Sequence, residues 1–248
     1  MTQPSLVLLV ALLAACNGAS TGSADAQSSP PKTVPAASVP TSSVAAVPAA
    51  ATQAGQKQTL AFDTDAVNGA PAGFAFGRTG SGAPGRWVVR AEPGSPSGAN
   101  VLAQLDADPT NFRFPVAVVT EPKLTDVRVS VRCKMVSGRV DQVCGLVARY
   151  ADENNYLLTR ANALENNIRL YTVKAGQRNE LASVETSVTA AAWHDYNFEL
   201  RGDQLQVFWD GKRVLEHRDS TFMGAGLAGV WTKADSVTSF DDLSVEPL

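Results

Sequence analysis

The stretch Asp126–Val173, DVRVSVRCKMVSGRVDQVCGLVARYADENNYLLTRANALENNIRLYTV, alternates apolar and polar residues with a period of two. That period belongs to a pleated strand with one buried face. The stretch reads as four consecutive antiparallel strands. In the first, Val127, Val129, Val131, Cys133 and Met135 share one face, and Arg128, Ser130, Arg132 and Lys134 share the other. In the second, Cys144, Leu146, Ala148 and Tyr150 alternate with Gly145, Val147 and Arg149. A turn centred between Gly138 and Arg139 sets Val131 opposite Leu146, Val129 opposite Ala148 and Cys133 opposite Cys144. A slip of one residue would turn every apolar partner outward. Opposed residues have Cα atoms about 4.5–5.5 Å apart, within disulfide reach. A Cys133–Cys144 disulfide is therefore expected, two buried thiols being the alternative. The same register sets Arg128 opposite Arg149, which is unfavourable unless an acid or a bound anion lies between them.

The loop Ala151–Asn155 is rich in turn formers, and its length sets the parity of the third strand. An even loop puts Tyr156 and Arg160 with Arg149 on the outer face. An odd loop points them to the core, where an unpaired Arg is costly, so the even loop is expected. Ile168 and Leu170 take the core in the fourth strand and leave Arg169 and Tyr171 outside.

The chain begins MTQPSLVLLVALLAAC. Leu6 to Leu13 is a short apolar segment followed by small residues, the pattern of a signal peptide rather than a membrane span. Leu13-Ala14-Ala15-Cys16 resembles a bacterial lipobox, which would make Cys16 the lipidated mature N-terminus and residues 1–16 the leader. An ordinary cleaved signal with an incidental cysteine is the other reading, since no Lys or Arg precedes the apolar segment. Asn17 supplies no acidic retention signal. The expected location is thus the cell envelope, lipid-anchored, at the outer membrane or the periplasmic face. Residues 17–57 are almost entirely Ala, Ser, Thr, Pro, Gly and Val without an aromatic residue. Such a segment cannot bury enough surface to fold and reads as a disordered tether, able to hold a domain tens of ångströms off a membrane.

Residues 58–248 have the composition of one globular domain. The net charge is −3, without a basic stripe, which gives no electrostatic case for nucleic acid. Further strands are expected at Gln58–Phe62, Arg86–Ala91, Asn100–Leu105, Phe112–Val119, Glu180–Glu185, His194–Arg201, Gln204–Trp209, Arg213–His217, Gly226–Thr232 and Val237–Glu246. Arg201-Gly202-Asp203-Gln204 and Asp210-Gly211 mark hairpins. The Gly- and Ala-rich region Asn68–Pro84 reads as a long loop. No segment carries a helical period of useful length. The expected architecture is all-β: a two-sheet antiparallel sandwich.

Gly145-Leu146-Val147-Ala148-Arg149-Tyr150, Glu153-Asn154-Asn155-Tyr156, Arg160-Ala161-Asn162, Trp193-His194 and Phe208-Trp209-Asp210-Gly211, with the closing run from Gly229 to Leu243, resemble concanavalin A-like lectin/glucanase domains. More narrowly, they are similar to the bacterial branch of laminin-G-like and 3-keto-disaccharide hydrolase domains. The resemblance spans most of Phe62 to Val245. It implies a jelly roll of two curved sheets, with sugar meeting the concave sheet or the loops at its rim. These motifs mark the fold; a fold does not fix a function.

Retaining glycosidases of this fold carry paired carboxylates on one strand. Neither Glu-x-Asp-x-x-Glu nor Glu-x-Asp-x-Glu occurs here. Asp63/Asp65 and Asp241/Asp242 are the nearest acidic pairs and read as turn caps, cross-strand partners or a structural calcium site. No Gly-x-Ser-x-Gly elbow lies within residues 58–248, and His194 and His217 lack metal-ligand spacing with the cysteines. No cofactor or catalytic metal is expected; calcium on the loop Asp152, Glu153, Asn154 is the one cation the composition admits. The expected ligand face carries Arg149, Tyr156, Arg160, Arg169, Trp231, Lys233 and Asp235, since aromatic rings stack on sugar faces and polar groups bond hydroxyls. Trp231 in the core, with Lys233 and Asp235 as a solvated pair, is the plain alternative. The expected partner is therefore a poly- or oligosaccharide, bound without catalysis. A hydrolase using Glu153, Glu165, Asp235 or His194, or an envelope lipoprotein binding a protein, are the alternatives.

Overall fold

The computed structural model describes residues 56–248, and among them it holds fifteen strands and no helix. In chain order they are β1 (Gln58–Leu60), β2 (Phe74–Gly80), β3 (Trp87–Ala91), β4 (Asn100–Gln104), β5 (Arg113–Val119), β6 (Val127–Ser137), β7 (Val143–Asp152), β8 (Asn155–Asn162), β9 (Asn167–Lys174), β10 (Gln177–Glu185), β11 (His194–Arg201), β12 (Gln204–Trp209), β13 (Lys212–Arg218), β14 (Leu227–Trp231) and β15 (Val237–Pro247). Two antiparallel sheets result. One runs β13-β12-β11-β6-β15-β4-β3, with β1 also paired to β15; the other runs β10-β9-β8-β7-β14-β5-β2. The fold is a two-sheet jelly-roll sandwich. The expected signal peptide, Cys16 and nearly all of the expected tether lie outside the described residues.

Alternation assigns each strand a face but not a neighbour. The expected β6–β7 hairpin shows the difference: the two strands belong to different sheets. Their apolar faces meet across the interior, which satisfies the same pattern as side-by-side pairing would. In the plane of its sheet, β6 pairs instead with β11 (Val131 with Tyr196) and β15 (Cys133 with Phe240). The Cys133–Cys144 disulfide forms, with Cα atoms 6.4 Å apart, and it ties sheet to sheet. Arg128 consequently faces Glu199 and Glu246, at 2.7 and 2.9 Å, rather than Arg149.

Between the sheets, Val129, Val131, Phe198, Leu205, Val207 and Phe240 pack on Leu146, Leu157, Ile168, Leu170 and Val230. Burying each such side chain contributes roughly 1.5–3 kcal/mol. Tyr196 reaches across this interior to share a 2.7 Å hydrogen bond with the Thr159 hydroxyl of the opposite sheet.

The loop between β7 and β8 is even, as expected, with Asp152 paired to Asn155. A bulge between Ala148 and Asp152 precedes it. There Arg149 takes a left-handed φ of 47° and leaves the ladder. Strand β2 corrects the reading of residues 68–84 as loop. Glycine is depleted in strands and so hides this one, but Gly80 is required: at φ 82°, a Cβ would lie 2.1 Å from the Phe112 carbonyl oxygen.

Candidate functional site

The seven-stranded sheet is strongly rolled. The Thr79 hydroxyl on β2 lies 2.7 Å from the Tyr156 hydroxyl on β8, four strands away. In a flat sheet that separation would be about 19 Å. Similarly, the Arg178 guanidinium of edge strand β10 stands 4.9 Å from the centre of the Phe114 ring on β5. The face turned away from the core is therefore concave, and its two edges nearly close over it.

Aromatic side chains fill the inside of that curve. Trp231 lies on Gly145, where an added Cβ would come within 2.9 Å of the indole. The Trp231 ring stacks on Phe114 at 5.3 Å, and its Nε1 donates to the Tyr156 hydroxyl at 3.2 Å. Tyr150 stacks on Tyr156 at 5.5 Å. Burial pushes both tyrosine hydroxyls up to about 12. Tyr156 and Trp231 share the concave face as expected, but both are fully buried, stacked on Tyr150 and Phe114 and joined by that hydrogen bond.

At one end of the curve, charged side chains surround Tyr171. Arg160 donates to Asn167 Oδ1 at 2.6 Å, to Glu165 Oε2 at 2.8 Å and to the Tyr171 hydroxyl at 3.5 Å. Arg169, cross-strand to Arg160, pairs with Glu180 at 3.1 Å and Glu165 at 3.6 Å. Arg178 lies over the Tyr171 ring at 4.6 Å. Burial opposes ionisation of Glu165, but Arg160, Asn167 and Arg169 outweigh it and hold its carboxyl below the usual range. Lys233 borders this group through a 2.5 Å ion pair with buried Asp141, whose other oxygen accepts from Asn162.

Arg149 and Asp235 do not stand with these residues. Arg149 is buried and donates to the carbonyl oxygens of Thr125, Phe222 and Gly202 at 2.7, 2.8 and 2.7 Å. Asp235 accepts the backbone N–H groups of Arg139, Val140 and Asp141, shaping the β6–β7 crossing. Although burial raises its carboxyl, those three bonds hold it below the usual range. His194 stacks on Trp209, and its ring nitrogens lie 2.9 Å from the Asp210 carboxylate and the Thr189 carbonyl. Asp152 caps its own turn through Asn154 and Asn155, while Asp63 and Asp241 hold the loop at 97–100.

At the rim, where the β7–β8 turn meets the free edge of β2, lies a cavity of about 270 Å³ lined by Phe76, Gly77, Arg78, Pro84, Gly85 and Glu153. Phe76 is 43% exposed. The Arg78 guanidinium makes no ion pair among the described residues, and the Arg78 N–H donates to Glu153 Oε2 at 3.5 Å. The Thr79 hydroxyl donates to the Glu153 carbonyl, which fixes the turn against the strand. Sequence reasoning missed Phe76 and Arg78 because it read β2 as loop; the Phe74/Phe76 alternation was the available signal. A second pair of depressions, sharing Arg132 and Asp195 and reaching Trp193, lies on the outer face of the eight-stranded sheet.

No protein-family profile and no curated protein matches the sequence. Solved structures do. The carbohydrate binding module CBM66 from Bacillus subtilis aligns at 17% identity and a TM-score of 0.51, covering 64% of this chain and 94% of that one. A protein of unknown function from Shewanella oneidensis MR-1 aligns at 16% identity and a TM-score of 0.52, covering 77% and 85%. Domain 4 of AbnA, a GH43 extracellular arabinanase from Geobacillus stearothermophilus solved with arabinotriose, aligns at 12% identity and a TM-score of 0.50, covering 76% and 90%. At these identities the likeness establishes the fold alone, a two-sheet jelly-roll sandwich.

Proposed function

We propose that residues 58–248 form a carbohydrate-binding module held at the cell envelope by a lipid on Cys16 and the tether of residues 17–57. The rim cavity carries this reading. An exposed ring, Phe76, stands beside a guanidinium without an ionic partner, Arg78, and an exposed carboxylate, Glu153. That combination suits a sugar, whose apolar face stacks on a ring while its hydroxyls bond planar polar groups. Two of the solved folds above support the reading by what their names say they bind. The narrower kinship, with laminin-G-like and 3-keto-disaccharide hydrolase domains, rests on the sequence motifs.

Binding without hydrolysis is favoured by how the acids are engaged. A general acid needs a carboxyl held neutral near its working pH, whereas two of the four candidate groups, Glu165 and Asp235, are held toward the ionised form by neighbouring donors. Asp241, which burial raises, is occupied by the Ser97 N–H and hydroxyl. The test is calorimetry of the full chain against a panel of neutral oligosaccharides, with released product measured in the same samples. Phe76→Ala should weaken binding about tenfold, the equivalent of about 1.4 kcal/mol, and no product should form. Unchanged affinity in Phe76→Ala moves the site away from the rim; product release restores the hydrolase.

A further inference from the structure

Around Tyr171, every cation but one has its counter-ion. Arg160 pairs with Glu165, Arg169 with Glu180, and Lys233 with Asp141. Arg178 has no carboxylate within ion-pair distance among the described residues. Its Cζ stands over both the Phe114 and Tyr171 rings, at 4.9 and 4.6 Å from their centres. Its Nη1 is shielded from water and has no acceptor. The Nε groups of Arg160 and Arg169 share that condition. Three guanidinium groups thus converge on one tyrosine, each with one buried donor unpaired. Arg178 is only partly buried, its other donors also lack a protein acceptor among the described residues, and the surplus charge sits there. Buried polar groups are ordinarily paired, so a cluster of open donors asks for a partner.

We propose that Arg178, with Arg160 and Arg169 beside it, seats the acidic group of an anionic glycan: a uronic acid carboxylate or a sulfate ester. A guanidinium presents a flat fork of donors that matches two oxygens of such a group at once. Arg178 is pre-oriented for this by the two rings, and the incoming anion supplies the charge that the protein omits. The glutamates on Arg160 and Arg169 leave those side chains in place to complete the rim of the seat. This inference rests on the carbohydrate-binding reading and names its ligand class.

The experiment titrates the full chain with oligogalacturonate, a sulfated oligosaccharide and a neutral oligosaccharide of equal length, at low and high salt, for the native protein, Arg178→Gln and Arg178→Lys. The expected result is about tenfold tighter binding of one or both acidic oligosaccharides over the neutral one, an advantage that shrinks with salt. Arg178→Gln should abolish the preference while keeping the neutral affinity, and Arg178→Lys should keep part of it. Which acidic oligosaccharide is preferred identifies the group. If Arg178→Gln fails to fold, Arg178→Lys carries the test through a partial loss of the preference, since salt dependence alone would also follow from Arg78 at the rim. Equal affinity for acidic and neutral chains, or a preference untouched by Arg178→Gln, overturns the anionic seat and leaves the sugar reading standing. Binding of no oligosaccharide at all overturns both.

Discussion

Arg149→Met separates the two roles that this residue could have. Read as sequence, Arg149 stands on the sugar face, and its loss would weaken glycan binding while sparing stability. In the structure, its guanidinium holds three carbonyl oxygens at 2.7–2.8 Å and is itself buried, joining the segments at Thr125, Gly202 and Phe222. Methionine keeps the stem but removes every donor. Each hydrogen bond to a charged group contributes about 1.5–3 kcal/mol, and burial of the guanidinium, which lowers its pKa, offsets part of that sum. Removing one partner from a buried charged set typically costs about 3–5 kcal/mol. We expect about 4 kcal/mol here, a fall of roughly 8–16 °C in Tm for a domain of this size. Arg149→Lys should rescue little, because a single ammonium cannot span three carbonyls. The assay is thermal unfolding followed by circular dichroism, with glycan affinity measured on the same samples at a temperature where both proteins are folded. A Tm within about 2 °C of the native value together with lost affinity would refute the structural role.

Two further outcomes test the fold itself. The Cys133–Cys144 bond closes a short loop, with a sequence separation of 11, so the chain-entropy relation gives about 3 kcal/mol; urea unfolding with and without reductant should show a loss of that order, and coincident curves would contradict it. The Glu165 and Asp235 carboxyls are held below their ordinary values of 4.5 and 3.8, so they add stability above about pH 4 that is lost as pH falls through their folded values. Asp241, raised by burial, works in the opposite sense. The urea midpoint should therefore be lower at pH 3 than at pH 7, and equal midpoints would remove these two residues from the account.

Much of the sandwich was legible in sequence because alternation states which residues share a face. Val127 to Met135 and Cys144 to Ala148 do bury the residues that the pattern assigns, and the disulfide follows. Alternation is silent on which strand lies beside which. That is why β6 and β7, contiguous and both half-apolar, were paired when the chain in fact crosses between sheets. Parity also fails at a bulge: one left-handed residue, Arg149, breaks the count that grouped it with Tyr156. Arg160 and Arg169 share one face, as strand parity expects, but the roll that buries Trp231 depends on contacts four and five strands apart. Arg178 is not legible for the same reason, since nothing in its local sequence marks it as a cation without a counter-ion among the described residues.

Sugar binding at the rim is tested most directly by a crystal structure of the protein with a bound oligosaccharide. A sugar ring should lie against Phe76, with hydroxyls on Arg78 and Glu153, at the rim of the seven-stranded sheet. A sugar seated instead on the outer face of the eight-stranded sheet, at Trp193 and Arg132, would contradict it.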